Sequence, residues 1–158
     1  MLIDFLKDKH LIDNTMTVWE PACGEGHMVN VFIENNIKCI GTDIQTGTDF
    51  LETNIIPCQW IITNPPFSAS EQFIEQCLNF KKPFALLLKT QYWNAKKRLT
   101  LFRKHQPLYI LPLTWRPDFL FKTRGKGAPL MDVMWVVWGE ESAKNTYFYP
   151  VEKPIKIE

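Results

Sequence analysis

Long apolar runs are missing from this 158-residue chain; nothing approaches the roughly 20 consecutive apolar residues of a membrane helix. The N-terminus lacks the apolar stretch and small-residue cleavage site of a secretory leader. Cysteine is scarce and unpaired: Cys23, Cys39, Cys58 and Cys77 form no C-x-x-C, and three lie in or beside apolar runs. That usage argues against disulfides and a zinc site and for reduced thiols in a cytoplasm. His10, His27 and His105 share no spacing, so no metal is expected. Repeats, linkers and low-complexity segments are absent too. The expectation is one domain over residues 1–158, long enough for a substantial core.

Net charge is also nearly absent, at +1, but this balance hides a division along the chain. Residues 1–80 carry 3 Lys/Arg against 11 Asp/Glu, residues 81–126 carry 12 against 1, and residues 127–158 carry 3 against 5. The middle segment, at +11, holds Lys96, Lys97, Arg98, Arg103, Lys104, Arg116, Lys122, Arg124 and Lys126. Tyr92, Trp93, Trp115 and Phe119 interleave with these charges. A surface that grips phosphates and stacks bases has this composition. A solvated helix face followed by a basic loop would have it as well.

Apolar periodicity predicts a helix over residues 2–12, a strand over Thr17–Pro21, a helix over 26–35 and a strand over Lys38–Ile44. Further strands are expected at Trp60–Thr63, Phe84–Lys89, Leu108–Leu113 and Met131–Trp138. Helices are expected from a cap at Ser68 or Ser70 to about Phe80, and over Asn94–His105. Alternating strands and helices through the first two thirds imply a parallel sheet with helices on both faces. Trp60, Trp135, Trp138, Met131 and Met134 are assigned to the core.

The most informative four residues are Asn64-Pro65-Pro66-Phe67, directly after the Trp60–Thr63 strand. Two consecutive prolines cannot donate to a ladder and fix two φ angles, so the chain is stiff where it leaves the sheet. A stiff turn can aim the Asn64 side-chain oxygen and the Pro65 carbonyl at one point. Two such acceptors suit the two hydrogens of a planar exocyclic amine, whose nitrogen lone pair is thereby made available. Phe67 offers a flat face on which a base can stack. On these residues alone, an ordinary strand-ending turn with a packed Phe is an equal account.

In open α/β sheets, ligands lie beyond the carboxyl ends of the strands. After the first strand comes Glu20-Pro21-Ala22-Cys23-Gly24-Glu25-Gly26, where Gly24 and Gly26 permit a sharp turn before a helix. After the second comes Asp43, 17 residues beyond Gly26, able to accept two ribose hydroxyls. Asp49-Phe50 follows, an acceptor beside an aromatic. Each is a weak signal singly; their order at successive strand ends makes them reinforce one another.

Glu-Pro-Ala-Cys-Gly-Glu-Gly, Gly-Thr-Asp-Ile, Asp-Phe and Asn-Pro-Pro-Phe together resemble the class I S-adenosylmethionine-dependent methyltransferases of the amino-methylating DNA type. More narrowly, the chain looks like the small phage-type adenine-N6 methyltransferases, which share an Arg-x-x-Phe element, here Arg116-Pro117-Asp118-Phe119, and a Trp-containing strand, here Met134–Trp138. The resemblance spans about residues 17–138. It implies a Rossmann-like α/β fold: a mostly parallel seven-stranded sheet, helices on both faces and an antiparallel C-terminal strand. S-adenosyl-L-methionine would be the cofactor, with Glu20, Pro21, Ala22, Cys23, Gly24 and Gly26 around its methionine end. Asp43 would take the ribose hydroxyls, Ile44 would pack on the adenine ring, and Asp49 and Phe50 would read its polar edge. Asn64, Pro65, Pro66 and Phe67 would be catalytic, Asn64 lying also beside the cofactor. Lys96, Lys97, Arg98, Arg116, Lys122, Arg124 and Lys126 would hold nucleic acid, DNA before RNA, in a bacterial or phage-infected cytoplasm.

Two departures from that family bear on the expectation. Related proteins usually open with a Thr-Pro-containing segment that touches the cofactor, and this sequence starts at the first helix. The length leaves no room for a separate target-recognition domain, so weak sequence discrimination is expected unless a partner subunit or a second copy supplies it. Two other readings stay open: methylation of RNA or of a protein glutamine, and a non-catalytic nucleic-acid-binding subunit.

Overall fold

The computed structural model describes residues 1–117 and 131–155. Seven strands form one sheet in the order β2-β1-β3-β4-β6-β5-β7. They are β1 (Thr17–Glu20), β2 (Lys38–Gly41), β3 (Trp60–Thr63), β4 (Phe84–Lys89), β5 (Tyr109–Pro112), β6 (Val133–Trp138) and β7 (Tyr147–Phe148). All pairings are parallel except those of β6, which runs antiparallel between β4 and β5. The seven strands and the single antiparallel strand match the expectation. The short strand β7 follows β6 and pairs with β5; its two exposed residues give no alternating pattern from which to read it.

Period-two alternation sorts the strands between two apolar layers. Val18, Trp60, Ile62, Ala85, Leu87, Val133, Trp135 and Val137 point to one face, and Trp19, Ile61, Phe84, Leu86, Leu88, Met134, Val136 and Trp138 to the other. Helices α1 (Leu2–Asp8) and α2 (His27–Glu34) cover the first face through Leu2, Ile3, Leu6 and Phe32. Helix α3 (Ser70–Phe80) covers the second through Phe73, Ile74 and Cys77, and α4 (Arg98–Lys104) adds Leu101. Both faces of β3 and β6 are wholly buried, so these strands read as continuous apolar runs. Trp60, Trp135, Trp138 and Met134 are core residues.

Several boundaries differ from the sequence expectation. The first helix stops at Asp8, because His10 takes a positive φ of 57° and turns the chain away. The second strand ends at Gly41, and Ile44–Thr46 forms a 3₁₀ turn capped by the Asp43 side chain, which accepts from Gln45 N. Neither Ser68 nor Ser70 caps α3: the cap residue is Ala69, and the Ser70 hydroxyl donates back to Phe67 O at 3.0 Å. The basic helix expected over Asn94–His105 is shortened to α4, and a 3₁₀ stretch at Thr90–Asn94 precedes it. No helix among the described residues is long and apolar enough to cross a membrane.

Candidate functional site

The site follows from the order of the strands. The chain leaves β1 through α2 on one face and leaves β3 through α3 on the other. β1 and β3 are neighbours, so the two connections part between them and leave a crevice beyond their carboxyl ends. A cleft of about 580 Å³ lies there, within the size range of small-molecule sites. Pro21 and Ala22 contribute from the turn after β1, Asp43 and Ile44 from that after β2, and Asp49 and Phe50 from the following loop. Asn64, Pro65, Pro66 and Phe67 complete the wall from the end of β3. Ten positions singled out in the sequence thus meet on one surface.

Glu20, Cys23, Gly24 and Gly26 stand outside that lining. Gly24 and Gly26 adopt φ of 52° and 85°, and a Cβ on either would meet no protein atom within 4 Å. Backbone conformation is therefore what requires glycine at both positions. Cys23 faces the opposite way, toward Gly41, and its amide donates to Thr42 O at 3.0 Å. Glu20 is buried behind the wall, 2% exposed. The Thr63 hydroxyl donates to its Oε1, as does the Ala22 amide at 3.2 Å. Burial pushes the Glu20 carboxyl up to about 7 against these two hydrogen bonds, and the Asp43 charge adds to the rise.

Asp43 is held from two sides. Gly24 N donates to its Oδ2 and Gln45 N to its Oδ1, both at 2.9 Å. Each carboxylate oxygen keeps lone-pair capacity beyond one backbone amide, so hydroxyl donors can still be accepted. Ile44 is 67% exposed at the mouth of the cleft, available to cover a planar ring. Asp49 Oδ1 accepts from Leu51 N at 3.0 Å. The Phe50 ring packs edge-on against Trp19 at 5.2 Å and tilted against Phe73 at 4.8 Å, which fixes the loop to the core. Phe67 is half-buried, with the Lys89 ammonium 5.7 Å from its ring centroid.

Gln45, Leu51, Ala69, Phe73 and Met131 also line the cleft, and the sequence did not point to them. Met131, expected in the core, is only partly buried: it packs against the core cluster on the face of α1 and α2 and also lines the cleft. It precedes β6, whose reversed direction brings its start to the carboxyl edge of β4, a placement that periodicity cannot reveal. Gly41 lies behind the site: a Cβ there would sit 2.8 Å from Val29 Cγ2 and 3.0 Å from Cys23 Cβ. Its close approach to α2 seats the turn, and the signal was the glycine ending an apolar run before Asp43.

The basic segment is less free than its composition suggests. Tyr92 is buried, and Trp93 and Trp115 pack against the core clusters rather than standing on the surface. Arg98 lays its guanidinium 3.9 Å from the Tyr92 ring centroid and donates to Tyr92 O at 2.8 Å. Arg116 pairs with Asp132 through Nε–Oδ1 at 2.8 Å, in the open. Lys96 and Lys97 are exposed, the latter 3.6 Å from Glu71. Phe119, Lys122, Arg124 and Lys126 lie outside the described residues. Among the described residues no group of three or more His, Cys, Asp or Glu could hold a metal ion.

No protein-family model matches the chain, and no curated protein sequence matches it. Solved structures do match. A protein assigned as a class I S-adenosylmethionine-dependent methyltransferase from Listeria monocytogenes superposes with a TM-score of 0.56 at 12% identity, over 95% of this chain and 63% of that one. One assigned as an RNA methyltransferase from Pyrococcus horikoshii gives 0.60 at 14% identity, over 90% and 82%. One assigned as a modification subunit of a type I restriction enzyme from Vibrio vulnificus gives 0.56 at 12% identity, over 98% and 46%. The chain thus spans less than two thirds of the Listeria protein and under half of the Vibrio one. At such identities the likeness is one of architecture, and this chain has the Rossmann-like fold of the class I methyltransferases.

Proposed function

We propose that this chain transfers a methyl group from S-adenosyl-L-methionine to the exocyclic N6 amine of adenine in nucleic acid, DNA before RNA, with little sequence discrimination. One observation carries the reading: Asp43 and the Asn64–Phe67 turn line the same cleft, at the strand ends where this fold takes ligands.

The residues present suit the cofactor. The wall is largely apolar, with carboxylates at Asp43 and Asp49 and an exposed aliphatic side chain at Ile44. Asp43 would hold the ribose hydroxyls, Ile44 would pack on the adenine ring, and Asp49 and Phe50 would recognise its polar edge. Pro21, Ala22 and the Gly24–Gly26 turn would border the methionine end. When bound, the cofactor supplies a sulfonium-activated methyl group.

On the other wall, the Asn64 side-chain oxygen and the Pro65 carbonyl would accept the two hydrogens of the target amine, turning its lone pair toward the cleft. Pro66 keeps the turn rigid and Phe67 would stack on the target base. Alignment supplies most of the acceleration and the two acceptors the remainder. No general base is required: the target nitrogen loses its proton to water. A base in a duplex must first leave the stack, at a cost of a few kcal/mol.

A second reading, in which a partner subunit or another copy supplies part of the nucleic-acid grip, is favoured by the engagement of Arg98 with Tyr92 and of Arg116 with Asp132. Calorimetric titration with S-adenosylmethionine tests the cofactor half of the proposal. Binding that Asp43→Ala weakens at least tenfold supports it; no binding to the wild-type chain contradicts it.

A further inference from the structure

Glu20, Thr63 and Ser70 are the buried polar or charged residues among those described. Ser70 is accounted for by its bond to Phe67 O. Glu20 and Thr63 remain, and they answer one another. They close adjacent parallel strands whose register pairs Val18 with Trp60 and Trp19 with Ile61, so both strand ends arrive side by side. The Thr63 hydroxyl donates to Glu20 Oε1, and the same oxygen accepts the Ala22 amide.

This oxygen therefore joins the two walls of the cleft. Ala22 lines the wall from the turn after β1, and Asn64, the neighbour of Thr63, lines the wall that would face the target amine. We propose that Thr63 is a positioning residue: its hydroxyl ties Glu20 to the end of β3 behind the cleft wall, fixing the distance between the two walls. The inference rests on the methyl-transfer reading, since a carboxyl ionised in part at neutral pH suits a cationic methyl donor.

The chemistry follows from what surrounds the carboxyl. Burial favours its neutral form, and Asp43, from the turn after β2, favours it further. The thiols of Cys23, on the turn after β1, and Cys39, on β2, are raised by burial and by Glu20, that of Cys39 to about 12, and so stay neutral. Against desolvation and Asp43 stand the two hydrogen bonds from Thr63 and Ala22. Losing the hydroxyl would raise the Glu20 carboxyl further, leaving it mostly protonated at neutral pH and without its tie to β3.

Thr63→Val removes the hydroxyl at nearly constant volume, and Thr63→Ser restores it. Two measurements decide the matter. The first is the Kd for S-adenosylmethionine from pH 5.5 to 9. The second is the titration of the Glu20 side chain by carbon NMR, which needs no ligand. Thr63→Val is expected to move both midpoints up by about one unit and to weaken binding roughly fivefold at pH 7. Binding should recover toward pH 9, and Thr63→Ser should behave as wild type. A Glu20 titration unchanged in Thr63→Val overturns the tie, as does a binding loss that is equal at every pH. Should the wild-type chain bind no S-adenosylmethionine, the methyl-transfer reading fails by itself and the NMR titration still judges the tie.

Discussion

The Gly24 amide donates to Asp43 Oδ2 at 2.9 Å, tying the turn after β1 to the turn after β2. The bond spans 19 residues of sequence, and it presets the Asp43 carboxylate before any ligand arrives. Gln45 N holds the other oxygen. Asp43→Asn is expected to keep the turn through its remaining oxygen and bind the cofactor more weakly. Asp43→Ala should also destabilise the fold by about 0.5–1 kcal/mol, since the Gly24 and Gln45 amides it frees are exposed and turn to water. Thermal melts beside calorimetric titrations separate the two effects.

Glu20 makes stability depend on pH. Its folded carboxyl titrates near about 7 against 4.5 for an unperturbed glutamate, so between these values the folded state holds a proton that the unfolded state has released. Its contribution is fully present below pH 4.5 and is lost as pH rises through about 7. The loss amounts to about 3 kcal/mol. Denaturant melts across this range should show the decline, and Glu20→Gln should flatten it. A wild-type slope that persists in Glu20→Gln would assign it to other groups.

Gly41 has no room for a side chain. With Val29 Cγ2 at 2.8 Å and Cys23 Cβ at 3.0 Å from an added Cβ, Gly41→Ala must push α2 or the Pro21–Gly26 turn aside. A loss of roughly 1–3 kcal/mol is expected, together with weaker cofactor binding because the displaced turn borders the cleft. An unchanged melting temperature would contradict the packing described.

Much of this was legible in the sequence, and the reasons differ by element. Val18 and Trp19, or Leu87 and Leu88, face opposite layers because neighbouring strand residues must, so the core could be read from alternation and apolar runs. Asn64–Phe67 could be placed because two prolines end a strand wherever it lies. Met131 and the Arg116–Asp132 pair could not, since both depend on how β6 returns antiparallel to meet the carboxyl edges of β4 and β5. The Tyr92–Arg98 stack was hidden for another reason: composition counts a guanidinium as surface charge, whatever ring it lies on.

Arg116 and Asp132 are a competing pair at that edge. Asp132 accepts both Nε, at 2.8 Å, and Nη2, at 3.4 Å, so a nucleic-acid phosphate has to displace it. Asp132→Asn is expected to tighten nucleic-acid binding and to steepen its salt dependence by about one released counterion. Fluorescence anisotropy at several salt concentrations reads both. Weaker binding in Asp132→Asn would mean that the pair serves to orient Arg116 instead.

The central claim is that Asn64 and its turn position an adenine amine for methylation. Its most direct test is tritiated methyl transfer from S-adenosylmethionine to duplex DNA, single-stranded DNA and RNA, with Asn64→Ala alongside. The account predicts label in DNA, recovered as N6-methyladenine after digestion to nucleosides, and a loss of roughly 10²- to 10³-fold in Asn64→Ala. Incorporation that Asn64→Ala leaves intact, or none into any nucleic acid although the cofactor binds, would contradict it.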